Sequence, residues 1–364
     1  MTVLPAKPLN LLDDVADLTA ALMDIESVSG NEAAIADAVE AALHGLDHLE
    51  VVRDGDSVMA RTNLGRSERV ILAGHLDTVP LPSVPGSRGT VPSSWDGDVL
   101  YGRGATDMKG GVAVQLALAA RLTAPNRDIT FIFYDHEEVD ASLSGLGRLE
   151  KSFPEWLKAD FAILLEPTDG TVEGGCNGTM RFQARTTGKA AHSARAWMGE
   201  NAIHGAAEIL VRLRDHQPAT VRVEGLDYRE SLNAVRIHGG TAGNVIPDSA
   251  VVEINYRFAP DKDPAQAEAY VRELLDGFDL VLTDASAGAR PGLDRPAAAS
   301  FVAAVGAEPK PKYGWTDVAR FSALGIPAVN FGPGDALLAH SDNEHVSAGA
   351  IRDCLRALDT WLAS

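Results

Sequence analysis

The hexamer "DHEEVD" (135–140) sets Asp135, Glu137, Glu138 and Asp140 around His136, directly after the apolar run "ITFIFY". Like charges crowded at the end of a buried strand repel one another, and desolvating any of them is costly without a compensating cation or donor. A solvated acidic turn is the ordinary reading of one such hexamer. Three further junctions shift the balance. "AGHLDTVP" puts His75 and Asp77 at a strand end, "YGRGATDMKGG" puts Asp107 in a glycine-rich turn before an apolar helix, and "LLEPTDG" puts Glu166 at the end of another strand. Imidazoles and carboxylates are ligands for divalent cations. The H-x-D spacing lets one ring nitrogen bind a metal while the nearby carboxylate holds the other. Each piece alone has a structural reading: a satisfied histidine, a helix cap, a tight turn. "GRGATD" fails as a nucleotide fingerprint, because Asp107 stands at the third glycine position. Together, four strand-to-loop junctions that each deliver a His, Asp or Glu match the strand ends where open α/β sheets collect ligands.

The elements that must position these residues follow from periodicity. Helical spacing runs over 13–25 and 31–46, the second opened by Asn31 as a cap. Apolar strands are expected at 68–77, 128–135 and 159–167, with an apolar helix at 111–122. This alternation predicts an α/β domain with a mostly parallel central sheet. From about 178 the pattern changes to strand "TMRFQARTTG", helix "ENAIHGAAEILVRLRDH", strands "SLNAVRIHGG" and "AVVEINYRFA", helix "DPAQAEAYVRELLDG" and strand "DLVLTDAS". That order, β-α-β-β-α-β, is a ferredoxin-like unit able to fold by itself. After about 288 the first pattern resumes through "AAASFVAAVG", "PAVNFG" and a last helix "SAGAIRDCLRALDTWLA". The expected organisation is a discontinuous domain, 1–177 with 288–364, interrupted by 178–287.

The bulk properties bound the function. At 364 residues, 45% hydrophobic and 23% charged, the chain has room for two domains. No run of about 18 apolar residues suggests a membrane span, and "MTVLPAKPLNLLDDVADL" lacks the basic start and apolar block of a signal peptide. The cytoplasm is the expected location. Two distant cysteines, Cys176 and Cys354, suggest neither a disulfide framework nor a thiolate metal site. A net charge of −19 argues against nucleic acid or an anionic membrane as partner. An anionic substrate would need local arginines to overcome that field.

Seven segments in order, "GHLDTVP", "YGRGATDMKGGVA", "DHEEVD", "LLEPTD", "GKAAHSARAWMGENAIH", "GGTAGNVIPD" and "LAHSDNEHV", resemble the motifs of the dinuclear zinc aminoacylase and carboxypeptidase family. The likeness runs from about residue 70 to the C-terminus. It implies a zinc-exopeptidase-like catalytic domain, with the inserted unit as a lid and dimerisation domain. It implies two Zn²⁺ per subunit, with Co²⁺ or Mn²⁺ as substitutes. His75 and Glu166 resemble the ligands of one zinc, Glu138 and His340 those of the second, and Asp107 the carboxylate between them. Glu137 resembles the general base, and Asp77 the residue that orients His75. His192 resembles a histidine that reaches across a homodimer into the partner's site. The peptide bond after Asp107 is expected to be cis. Asp135 and Asp140 read as surface or capping residues, and His136 as a packed or solvated bystander.

The implied chemistry is metal-assisted amide hydrolysis. Two divalent cations about 3.5 Å apart need several carboxylates to share their charge, and such a site lowers the pKa of water towards 7. Glu137 can take the proton of that water and pass it to the departing amine. Asn244, Arg257 and Thr316 resemble residues that hold the substrate, the arginine by its bidentate fork. Arg181, Arg185, Arg195 and Arg320 could add positive potential or serve ordinary surface roles. His345 reads as a structural neighbour of the site, and Cys176, Met180 and the tryptophans as packing. Within the family, "SLNAVRIHGGTAGNVIPDSAVVEINYRFAPD", "GWTDVARF" and "GPGDALLAHSDNEHV" are most similar to the actinobacterial enzymes that release succinate from N-succinyl-LL-2,6-diaminopimelate. One departure stands out: where better-known proteobacterial relatives carry an arginine-rich segment, this chain reads "GCNGTM" (175–180). The alternatives are an N-acetylornithine deacetylase, another deacylase or dipeptidase of the same chemistry, or a metal-binding relative without turnover.

Overall fold

Strands covered by helices on both faces have no need of polar alternation, and the central runs of the first sheet show little of it. In the computed structural model, which describes residues 8–363, Asp128–Tyr134, Arg69–His75, Phe161–Leu164 and Ala328–Asn330 lie side by side in that order, all parallel. The antiparallel strands Ser57–Arg61 and Glu50–Asp54 extend one edge, and Glu173–Gly174 and then Lys310–Pro311 extend the other. The sheet is therefore mixed with a parallel centre. Its carboxyl ends carry His75, the 135–140 turn and, just past Leu164, Glu166. The first seven residues of the N-terminal stretch read above lie outside the described part.

The helix Gly110–Arg121 is buried along its length from Gly110 to Ala119 and shares one apolar core with the helices Val15–Met23, Ala33–His44 and Ala348–Ala363. Gly111 lets this helix approach the end of the strand Phe161–Leu164, since any side chain there would run into the main-chain oxygen of Leu165. Asn31 does not cap the following helix. That helix starts at Ala33 behind Glu32, and the Asn31 amide donates instead to Glu26.

The described chain divides into two units. The first runs up to Gly174 and takes in Gly292–Lys310 and the stretch from Arg320 onward; the second holds Gly175–Pro291 and Pro311–Ala319. In the second, Ser231–Gly239, Ser249–Phe258, Gly178–Thr187 and Asp279–Ser286 form an antiparallel sheet in that spatial order. Along Ser249–Phe258 each second residue from Ala250 to Phe258 is buried. This period of two turns one face onto the helices Ala207–Asp215 and Pro264–Leu274. Asp263 and Gln266 close a reciprocal capping box on the latter helix. Two features depart from the sequence reading. A hairpin, Thr220–Val223 with Leu226–Arg229, is added between the first helix and the second strand of the sheet. Residues 311–319 group with the second unit: the Asn177 amide N–H donates to the Lys312 carbonyl at 3.2 Å, and Trp315 Nε1 to the Ala287 carbonyl at 3.0 Å. Among the described residues, no helix is long and apolar enough to cross a membrane.

Candidate metal centre

His75 ends its strand fully buried, beside the last residue of the neighbouring strand, Tyr134. Its Nδ1 lies 3.0 Å from the main-chain oxygen of Asp77, a carbonyl that can only accept. The proton on that side is thereby fixed, and Nε2 points at Asp107 Oδ1, 3.0 Å away, with Glu166 Oε1 at 3.9 Å. The Asp107–Met108 peptide is cis, as expected. The second carboxylate oxygen of Asp107 lies 3.3 Å from Nε2 of His340, which also meets Glu138 Oε1 at 2.9 Å.

Donor atoms of His75, Asp107 and Glu166 gather within 4.8 Å of one another; so do those of Asp107, Glu138 and His340, and those of His75, Glu137 and Glu138. Asp107 belongs to two of these groups, one oxygen facing each histidine. The electrostatics are those of an anionic cradle. Burial by itself would lower the His75 pKa, but the bond to Asp107 and the charges of Glu166, Asp107 and Glu137 hold it well above the usual range. The bonds to Asp107 and Glu138 raise His340 to about 10. Burial opposes ionisation of Asp107, yet its bonds to His340 and His75 hold its pKa down. Protons on two imidazoles thus balance carboxylates where divalent cations would do the same more strongly. Two imidazoles, three carboxylates and no thiolate suit zinc, cobalt or manganese.

Asp77 stands beside His75, the ring it is expected to orient. Its carboxylate lies 3.6 Å from His75 Nδ1, a longer approach than the one made by its own carbonyl. The completely buried carboxylate also accepts the main-chain N–H groups of Glu137 and Glu138, each at 3.0 Å, and the Ser29 hydroxyl at 2.6 Å. It clamps the turn that presents both glutamates. Asp135, expected at the surface, is buried, held by Ser57, by His136 Nδ1 at 2.7 Å and by Arg148. The Arg148, Ser57 and His136 bonds outweigh burial and lower its pKa. His136 is packed against this carboxylate, one of the two placements expected of it, and belongs to none of the donor groups above. Asp140 caps the short turn Ala141–Leu143.

The remaining site candidates lie in the second unit. His192 is exposed, its Nδ1 accepting the Ala194 N–H at 3.1 Å. Asn244 is exposed, with its carbonyl on the Ser193 N–H. Arg257 is half-buried, Nε bonded to Asn255 Oδ1 at 3.2 Å; burial and the neighbouring Arg181 lower its pKa. Thr316 is buried, and its carbonyl lies 3.8 Å from Cys176 Sγ. Cys176, Met180, Trp156 and Trp361 are packing residues as expected, whereas Trp197 is 79% exposed. His345 pairs with Tyr101 in a small sheet and stacks on its ring. The sequence reading missed Glu344, buried against Asp107 through main-chain bonds, and its partner Arg103. An acidic residue four places after a histidine carries no signal of burial.

The pattern of peptidase family M20/M25/M40 matches residues 71–364. A Mycobacterium tuberculosis protein, whose description as a succinyl-diaminopimelate desuccinylase is itself provisional, is 53% identical over 97% of this chain and 99% of its own. A succinyl-diaminopimelate desuccinylase of Corynebacterium glutamicum is 44% identical over 98% of each. Among solved structures, a tripeptidase of Staphylococcus aureus superposes with a TM-score of 0.79 at 22% identity, over 98% of this chain and 99% of that one, which speaks to the fold.

Proposed function

The chain belongs to peptidase family M20/M25/M40, and from that premise we propose that it is a metal-dependent amide hydrolase that cleaves N-succinyl-LL-2,6-diaminopimelate to succinate and LL-2,6-diaminopimelate. The observation that carries this reading is the 44–53% identity to desuccinylases over nearly the whole chain, with the cluster of donors around Asp107 intact. The first unit is the proposed catalytic domain and the second the proposed lid and dimerisation domain.

In the proposed site His75, Asp107 and Glu166 hold one cation and Asp107, Glu138 and His340 the other, zinc in each case. When bound, the pair supplies Lewis acidity to the scissile carbonyl and acidifies the attacking water. Glu137, next to a ligand and clamped by Asp77, takes the proton of that water on its carboxylate and passes it to the departing nitrogen. Arg257 holds a substrate carboxylate, with Asn244 and Thr316 as further contacts. Arg257 is suited to this because the half-buried guanidinium lies beside Arg181, and a bound anion relieves the repulsion. His192 of a partner subunit donates to the developing oxyanion.

A homodimer is supported by the edge strand Ser231–Gly239, whose outer side is unpaired in the described chain and exposes Val235 and Ile237. The buried, unbridged thiols of Cys176 and Cys354 suit a reducing cytoplasm. The test is turnover of purified, zinc-supplemented protein on N-succinyl-diaminopimelate, N-acetylornithine and a dipeptide panel. Preference for the first is expected. Preference for another amide moves the assignment within the family, and hydrolysis of none with two metals bound overturns it.

A further inference from the structure

Glu344 is completely buried in the first unit. A carboxylate in that position needs donors and a counter-charge to offset its lost hydration, and it has both. Oε1 accepts the main-chain N–H of Thr106 at 3.0 Å and of Asp107 at 3.1 Å, while Oε2 takes Arg103 Nη1 at 2.7 Å. Arg103 Nη1 also reaches the Ser341 carbonyl at 3.4 Å. The surrounding main chain repeats the pattern. Gly102 N–H donates to the Glu344 carbonyl at 3.1 Å, Gly89 N–H to that of Asp342 at 2.8 Å, and the Thr106 hydroxyl to that of His345 at 2.8 Å. The turn that carries His340 is thus tied to the segment that carries Asp107, with Glu344 at the seam.

The two cation groups depend on this seam unequally. His75 and Glu166 are set by the ends of adjacent parallel strands. His340 sits at φ 62°, a left-handed conformation that disfavours a residue with a β-carbon, and its ring is half-exposed, so its own packing does little to fix it. The tie to residues 102–107 must do that.

We propose that Glu344, braced by Arg103, is the positioning residue that sets the separation of Asp107 from His340, and so governs the cation held by Asp107, Glu138 and His340 more than the one held by His75, Asp107 and Glu166. The inference rests on the two-cation reading above.

The test is a competitive zinc titration of metal-free parent, Glu344→Gln, Arg103→Lys and, as comparator, His340→Ala, each first checked for the parent's circular dichroism and thermal midpoint. Glu344→Gln keeps an acceptor for the two N–H groups but turns an amide towards Arg103. The cation whose affinity His340→Ala lowers should also lose roughly 10–100-fold in Glu344→Gln, as for other residues that orient metal ligands, with the other cation unchanged. In the turnover assay kcat should fall with KM preserved. Arg103→Lys, which retains the charge, should lose less. Folded Glu344→Gln that binds both cations like the parent, or loses both equally, overturns the proposal. If that variant does not fold, Arg103→Lys decides on the same criterion, parent-like binding of both cations counting against it. A parent that takes up fewer than two cations overturns this proposal together with the two-cation reading, whereas a two-cation parent with an indifferent Glu344→Gln overturns this proposal alone.

Discussion

The Asp77 carboxylate accepts the main-chain N–H of Glu137 at 3.0 Å, its other oxygen doing the same for Glu138. One buried side chain therefore fixes the direction in which the proposed base and a proposed ligand leave the strand end. Asp77→Ala should lower zinc affinity about 10–100-fold and reduce kcat together with it. Asp77→Asn, which keeps one acceptor, should lie in between. Equal metal content and equal turnover in Asp77→Ala would show that the clamp is dispensable.

Glu137 shares the clamp but is proposed to move protons rather than bind metal. Glu137→Gln should keep both zinc ions by elemental analysis and lose on the order of 10²–10⁴ in kcat/KM, the usual cost of a missing general base. Glu138→Ala, in contrast, should lose the cation it shares with His340. A Glu137→Gln enzyme of normal activity would refute the assignment.

Metal uptake should be coupled to protons. In the metal-free protein the bonds to Asp107 and Glu138 raise His340 to about 10, and His75 is also raised. Both rings therefore carry protons at pH 7 that a cation must displace. Calorimetric titration in buffers of different ionisation heat should show proton release on zinc binding and an affinity that rises with pH. The stability of the metal-free protein runs the other way. A histidine whose folded pKa lies above its unfolded value of about 6.5 stabilises the fold fully below that value. The His340 contribution should therefore fade as the pH climbs through about 10. Zinc uptake with no proton exchange at pH 7 would contradict the account.

Much of this centre was legible in the sequence because strand ends and metal ligands both leave local marks. A strand of uniform apolarity stops, and a His, Asp or Glu follows, at His75, at the 135–140 turn and at Glu166. What stayed hidden is long-range. Asp135 reads as one acid among several until Ser57 and Arg148 close over it from other elements, and Asp77 reads as a partner of His75 until the fold brings the glutamate turn to its carboxylate. Glu344 lies 237 residues from the Asp107 amide it holds, a separation no periodicity records. The hairpin Thr220–Arg229 was missed for a different reason: its short alternating strands joined by "EG" merge with the following strand at Ser231.

The last prediction concerns the second unit. The edge strand Ser231–Gly239 leaves Val235 61% and Ile237 47% exposed, and an unpaired edge of this kind can pair with its own copy across a two-fold axis. Ile237→Asp should convert the proposed dimer to a monomer in sedimentation, since a charge placed there must be desolvated on pairing. If His192 acts across that contact, the monomer should also lose activity while its zinc content stays intact. A mixture settles the direction of the dependence. His192→Ala and Glu137→Gln are each expected to be inactive alone, but a hybrid dimer joins an intact Glu137 site to an intact partner His192 in one of its two sites. Co-refolding the two variants should therefore restore activity that neither shows by itself. A mixture as inactive as its components, with hybrid dimers demonstrated by mass, would assign His192 to its own subunit or to no step at all.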